Sequence, residues 1–512
     1  MALAFFSFAF AMAIVVLVFG LSLLAWGNQG KNKNNLPPGP PPLPIIGNLH
    51  QLGPLPHQSL WHLSRVHGTV MIVHLGRVPT VIISSKEAAR EVLMTHDLDT
   101  CSRPRLAGPG RLSYNYLDIA FAPYGDYWRE MRKLCIMELM STKKVDGFRF
   151  IREEEAEALL QRIGDSAVSG SAVNLSEELL RPSAGVVSRV AFGRSFRGIG
   201  SDKGNDLVDI LHEAMAMLGS FPASDFFPYF GWVIDRFSGL HRRLEENFHV
   251  LDRFYEQIIE EHLQDRKEEQ EEDDIVDFLL SKYKGQTESG DGIVFTRNHI
   301  KAILMDIFIA GVDTGSILLV WTMTELVKNP RVMKKLQDEI RSRIGNKRLV
   351  TEDDLGQLQY MKLVLKESMR LHPLAVLLLP RETMRHFKLF GYDIPAGTRI
   401  HVNVWGIGRD PNLWEDPEVF YPERFENSPI DYKGQHFELL TFGCGRRGCP
   451  GMYMGMTLVE LVLANLMHGF DWRLPEGTME GDVDMEEGAG ISVYKKVPLL
   501  LVPVNPSCSA DR

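Results

Sequence analysis

Apolar residues recur at helical spacing along most of the chain, notably from Trp128 to about Met140, from Glu153 to Ile163 and from Leu240 to Leu263. The longest such run begins near Thr296, a suitable N-cap, and continues to about Lys328, where Asn329-Pro330 stops it. β-Branched residues cluster over Val70–Leu75 and Pro79–Ser84 around Gly76-Arg77, which predicts a short hairpin. More short strands are expected between Phe390 and Val404, with a turn at Pro395-Ala396-Gly397, and again near Gly490 to Val504. The pattern therefore predicts a mainly α protein with small β-sheets, and no internal repeat is evident.

From Ala2 to Trp26 there is no charged residue, giving about 25 mostly apolar positions where a bilayer span needs about 20. Lys31 and Lys33 follow this stretch, whereas a secretory signal carries its basic residues first and has an apolar region of roughly 7–15 residues. Residues 2–26 are thus read as an uncleaved anchor, and the positive-inside rule leaves the following domain in the cytosol. Residues 27–44 form a polar, then proline-rich linker (LPPGPPPLP), expected to be stiff and extended. One large domain over 45–504 and a frayed tail over 505–512 complete the organisation. The net charge of -10 gives no sign of nucleic-acid binding, and five cysteines in 512 residues are not a disulfide framework.

The chemistry concentrates in Phe442-Gly443-Cys444-Gly445-Arg446-Arg447-Gly448-Cys449-Pro450-Gly451. A thiolate at Cys449 on a glycine-rich loop, with Pro450 expected at the first turn of an apolar helix, stands where free N–H groups favour negative charge. The glycines, Gly445 and Gly451 among them, allow the backbone to approach a flat macrocycle. That suits a haem iron with a cysteine axial ligand. A zinc site shared by Cys444 and Cys449 lacks the second Cys/His pair it needs.

This run resembles the haem-binding signature F-x-x-G-x-R-x-C-x-G of the cytochrome P450 superfamily at every fixed position. Four other motifs occur in the family's order: Trp128-x-x-x-Arg132, Ala310-Gly311-Val312-Asp313-Thr314, Glu367-x-x-Arg370 and Pro422-Glu423-Arg424-Phe425. With the Leu36–Pro40 hinge, the chain is most similar to microsomal plant enzymes of specialised metabolism, from about Leu36 to Val504. The resemblance implies haem b with Cys449 as metal ligand, and Phe442, Gly445, Arg447 and Gly451 around it. It implies that Arg447, Arg132 and Trp128, with Arg381 as a further candidate, meet the haem carboxylates, since buried charges need charge-assisted partners. Trp128 and Arg132 share a helical face, so an indole N–H and a guanidinium are expected to point at one carboxylate. Gly311 is expected to clear space over the distal face, and Thr314 and Asp313 to deliver protons, as the catalytic pair. Glu367, Arg370 and Arg424 are read as a structural network.

A cysteine ligand favours O–O cleavage over reversible oxygen binding, which makes a monooxygenase the expected activity. The chain has no dinucleotide fingerprint, so the resemblance implies an NADPH-cytochrome P450 reductase as electron donor, with Lys133 and Arg446 as contacts. The aliphatic run Leu374–Leu379 suits a lipophilic substrate of terpenoid, phenylpropanoid or alkaloid type. Membrane lipid is an expected partner and the endoplasmic reticulum the expected location. Two other classes are weighed: a haem-thiolate isomerase or dehydratase acting on a hydroperoxide, against which the intact Ala310–Thr314 motif argues, and a non-catalytic haem binder.

Overall fold

The computed structural model describes residues 35–194, 207–265, 274–285 and 294–506. The apolar stretch 2–26, the following residues to 34 and the tail from 507 lie outside the described residues. The helices that build the core are α1 (Pro56–His67), α2 (Asp126–Leu134), α3 (Arg149–Ser169), α4 (Leu180–Phe192), α5 (Leu240–Asp265), α6 (Arg297–Lys328), α7 (Pro330–Ile344), α8 (Gln359–Leu371) and α9 (Met452–Gly469).

Helix α6 starts where the sequence predicts. Thr296 takes an extended conformation and exchanges capping bonds with His299, and Pro330 opens α7 directly after the Asn329 cap. Among the described residues α6 alone is long and apolar enough to cross a membrane, but it is the buried central helix of the core. Helices α4 and α9 pack along it. The helix expected from Trp128 to Met140 divides: α2 ends at Leu134 and a π-helical turn, Cys135–Leu139, completes it.

The strands are β1 (Val70–Leu75), β2 (Val78–Ile83), β3 (Val173–Asn174), β4 (Arg381–Glu382), β5 (Phe387–Leu389), β6 (Tyr392–Ile394), β7 (Arg399–Val402), β8 (Asp471–Arg473), β9 (Glu487–Gly488), β10 (Tyr494–Lys495) and β11 (Leu500–Val504). The predicted hairpin forms, with Leu75 opposite Val78 across Gly76-Arg77. It extends to a four-stranded sheet in the order β1-β2-β7-β4, in which β7 pairs parallel to β2. Only a long-range crossover can supply that parallel partner.

The proline run is not the free spacer expected over its whole length. Pro38 O accepts the amide of Ile72 at 2.9 Å, and a Cβ on Gly39 would stand 1.9 Å from Ile72 O. Asn48 Nδ2 then donates to Pro40 O at 3.2 Å. Residues 38–48 therefore lie along β1 and belong to the folded domain.

Glu367 and Arg370 on α8 are both fully buried and joined by two 2.7 Å bonds. Arg370 also donates to the carbonyls of Gly408 and Pro417, each at 2.6 Å, while Arg424 Nε reaches Glu367 at 2.9 Å. The network ties the irregular segment 408–425 to α8. That segment leads into the cysteine loop.

Candidate functional site

The loop from Phe442 to Gly451 folds back on itself through Cys449 N, which donates to Phe442 O at 2.9 Å. Gly445 has a φ of +69°, and a Cβ there would come 2.7 Å from Leu93 O, so two protein constraints require glycine. Gly451 differs: no protein atom lies within 4 Å of a Cβ built on it. Phe442 is half-buried against Tyr432, with ring centroids 5.6 Å apart. Helix α9 begins at Met452, not at Pro450, so the proline lies before the Gly451 cap. The amides of Gly451 and Met452 nevertheless point to the Cys449 sulfur. Burial pushes the Cys449 thiol pKa up, and those two amides and the Arg132 charge pull against that rise. Its side chain is accessible although protein surrounds it.

Helix α6 carries the complementary feature. It is buried nearly all round, yet Asp306, Ile307, Ala310, Gly311, Thr314 and Gly315 are accessible or half-accessible. Their spacing of four and one draws a single stripe along the helix. Thr314 Oγ1 donates to Ala310 O at 2.7 Å within this stripe. Asp313 is buried beside it, and loss of hydration alone raises its carboxyl pKa to about 6. A Cβ on Gly311 would stand 2.8 Å from Val187 Cγ2 on α4. The missing side chain at Gly311 therefore serves close helix packing, a need the sequence did not reveal.

Four arginines converge from distant parts of the chain. Arg447 donates to Cys101 O (2.8 Å), Ile119 O (3.2 Å) and Ala122 O (2.6 Å), and burial, reinforced by Arg381 and Arg132, lowers its pKa to about 10. Arg132 donates to Gly448 O. Arg103 donates to Ala120 O, Leu379 O and Pro380 O at 2.7–2.9 Å. Its pKa is held far below normal by burial and by Arg447 and Arg381. Arg381 behaves otherwise: it pairs with Asp97 at 2.8 Å, which Arg446 also contacts at 2.8 Å. Its charge is already committed. The expected shared aim of Trp128 and Arg132 is also corrected, because Trp128 Nε1 donates to Ile119 O at 3.0 Å.

Among the described residues, no carboxylate forms an ion pair with Arg103, Arg132 or Arg447. Burying this much uncompensated positive charge is costly unless an anionic group shares the space. A dianionic macrocycle edge fits that demand, and the accessible Cys449 fits a metal beside it. No local signal in the Ser102-Arg103-Pro104-Arg105 run marks Arg103, because its burial against Arg447 is a tertiary fact.

An accessible cysteine beside guanidiniums without carboxylate partners suits an iron porphyrin, and a haem-thiolate oxygenase is the class that this fold and site match. Comparison with known proteins gives the family. The sequence model described as Cytochrome P450 matches residues 37–501. Cytochrome P450 71B35 of Arabidopsis thaliana is 54% identical over 468 residues, covering 91% of this chain and 92% of that protein. Cytochrome P450 71B26 of the same plant is 52% identical over 488 residues, covering 94% and 96%. A zebra fish cytochrome P450 solved with abiraterone superposes with a TM-score of 0.73 at 25% identity, covering 88% of this chain and 99% of that one. The chain belongs to the cytochrome P450 family, in its plant 71 clan, and is a monooxygenase that uses haem b, O2, a small-molecule substrate and a redox partner.

Proposed function

We propose that Cys449 holds the haem iron, that Arg447, Arg132 and Arg103 face the haem carboxylates, and that the enzyme oxidises a lipophilic plant specialised metabolite of terpenoid, phenylpropanoid or alkaloid type. The observation that carries this reading is the accessible Cys449 beside one buried and two half-buried guanidiniums that have no carboxylate partner among the described residues. When bound, haem supplies the O2 chemistry, which a thiolate ligand directs towards O–O cleavage.

The protein's own residues do the rest. The α6 stripe gives the substrate an apolar wall at Ile307 and Ala310, and Leu377, Leu378 and Leu379 are half-buried on the segment that meets Arg103. Thr314 keeps a hydroxyl on the stripe, and Asp313, whose pKa burial raises to about 6, exchanges a proton one residue away. Trp128, Phe442, Gly445, Gly451 and Gly311 shape the enclosure, while Arg381 acts through Asp97.

Electrons come from an NADPH-cytochrome P450 reductase. Lys133 is exposed on α2 for such a contact, whereas Arg446 is engaged by Asp97. Membrane attachment at the endoplasmic reticulum, with the domain in the cytosol, is supported by a second feature. Tyr229, Trp232 and Phe237 are 78%, 60% and 89% exposed, and they follow Phe226, whose carbonyl accepts Arg77 N at the β1–β2 turn. The carbonyl of Ile46 accepts Gly76 N in that same turn, and Ile46 and Leu43 are themselves exposed, which adds to an apolar surface suited to lipid.

The test is the carbon monoxide difference spectrum of the reduced protein, with Cys449→Ser alongside. A red-shifted thiolate band that the variant loses supports the reading, after which lipophilic substrates are screened with reductase and NADPH. Absence of that band from folded, haem-supplied protein removes Cys449 as ligand.

A further inference from the structure

The segment 118–122 lies between two sets of charged groups, of which Asp118 and Arg103 are buried and Asp306 and Arg447 half-buried. On one side, Asp306 Oδ2 of α6 accepts Ile119 N at 2.7 Å and the carboxyl also takes the amide of Ala120. Asp118 Oδ2 accepts Phe121 N at 2.8 Å, and its other oxygen, Oδ1, is buried without a partner. On the opposite side, Ile119 O accepts from Trp128 and Arg447, Ala120 O from Arg103, and Ala122 O from Arg447. The peptide unit joining Ile119 to Ala120 thus bridges Arg447 and Asp306, its carbonyl on the cation and its N–H on the carboxyl.

The two carboxyls are close enough for Asp118 to act on Asp306 electrostatically, and among the described residues neither forms an ion pair with a cation. Arg103 and Arg447 favour charge on Asp118 from across the peptide segment. From α2 and the turn after it, Tyr127 and Cys135 face the pair, and Tyr255 faces it from α5; all three are neutral at physiological pH because burial raises their pKa values. Two adjacent carboxylates largely withdrawn from water do not both ionise readily. One proton on the pair removes the repulsion and leaves every amide bond in place.

We propose that Asp118 and Asp306 are positioning residues that keep one proton between them, and that this pair clamps residues 118–122 so that their carbonyls hold Arg103 and Arg447 at the haem edge. The proposal rests on the assignment of those arginines to the haem carboxylates. Burial raises both carboxyl pKa values, Asp118 to about 6 and Asp306 well beyond the usual carboxylate range, which agrees with one retained proton. Loss of that proton places a second charge behind the segment and loosens the clamp.

The experiment follows transfer of haem from the full-length holoprotein to an excess of apomyoglobin, from about pH 6 to about pH 9. The wild type is expected to lose haem faster as pH rises. Asp118→Asn keeps the shape and removes one ionisable group, so its rate stays low and flat. Asp306→Ala removes the acceptor of Ile119 N and speeds loss on the order of tenfold at every pH. A wild-type rate independent of pH, or an Asp118→Asn rate that rises as the wild type does, overturns the proposal. Should the protein take up no haem, the cofactor assignment falls, and melting of the same proteins judges the pair. A wild-type Tm that declines with pH more steeply than that of Asp118→Asn then supports proton sharing, and equal slopes refute it.

Discussion

The guanidinium carbon of Arg447 lies 4.1 Å from the ring centroid of Trp128, and both side chains donate to the same carbonyl, that of Ile119. Stacking and a shared acceptor fix the arginine in orientation as well as position. Trp128→Phe retains the aromatic face and removes one of the two donors, so a loss of about 1 kcal/mol is expected. Arg447→Lys removes the fork that reaches three carbonyls. Its absorbance ratio of haem to protein is expected to fall several-fold below that of Trp128→Phe, with similar far-ultraviolet circular dichroism.

Glu367 has no exposure and neutralises Arg370 while also accepting Arg424 Nε. Glu367→Gln leaves buried cations without a counter-charge, which costs about 3–5 kcal/mol. Urea unfolding of the variant is expected to show a correspondingly lower midpoint. The exposed pair Arg242–Glu246, 82% and 63% accessible, is the control, and its loss should leave the midpoint unchanged within error.

Gly311→Ala sets two effects against each other. Alanine gains about 1 kcal/mol of helix propensity, and its Cβ collides with Val187, where overpacking costs about 1–3 kcal/mol. The single variant is expected to be less stable than wild type. In a Val187→Ala background the same change should stabilise, so a double-mutant cycle of melting temperatures should change sign.

Asp313 gives a pH dependence. Its folded-state pKa of about 6 exceeds the ordinary carboxyl value of 3.8, so the folded protein binds more protons between those values. Stability contributed by this group is fully present below about pH 4, falls as pH rises to about 6, and is constant above. Asp313→Asn should flatten that interval, and at neutral pH it should be more stable by up to about 3 kcal/mol. Melting curves across this range check both statements.

The sequence alone determined the elements whose signals are local. Thr296 and Asn329-Pro330 bound α6 within one residue, Gly76-Arg77 placed the hairpin, and the spacing around Cys449 carried the signature of the family, because caps, turns and short motifs depend on neighbours a few residues apart. Which charges remain unpaired was decided elsewhere. Arg381 meets Asp97, Trp128 spends its N–H on Ile119, and Gly311 is required by Val187, each through a partner far away along the chain. Nor did the sequence disclose Arg103, or the Asp118 and Asp306 carboxyls behind the arginines. Local spacing carries no information on which distant groups meet in a dry interior, and there the unpaired charge dominates the energetics. Only the tertiary fold makes those meetings.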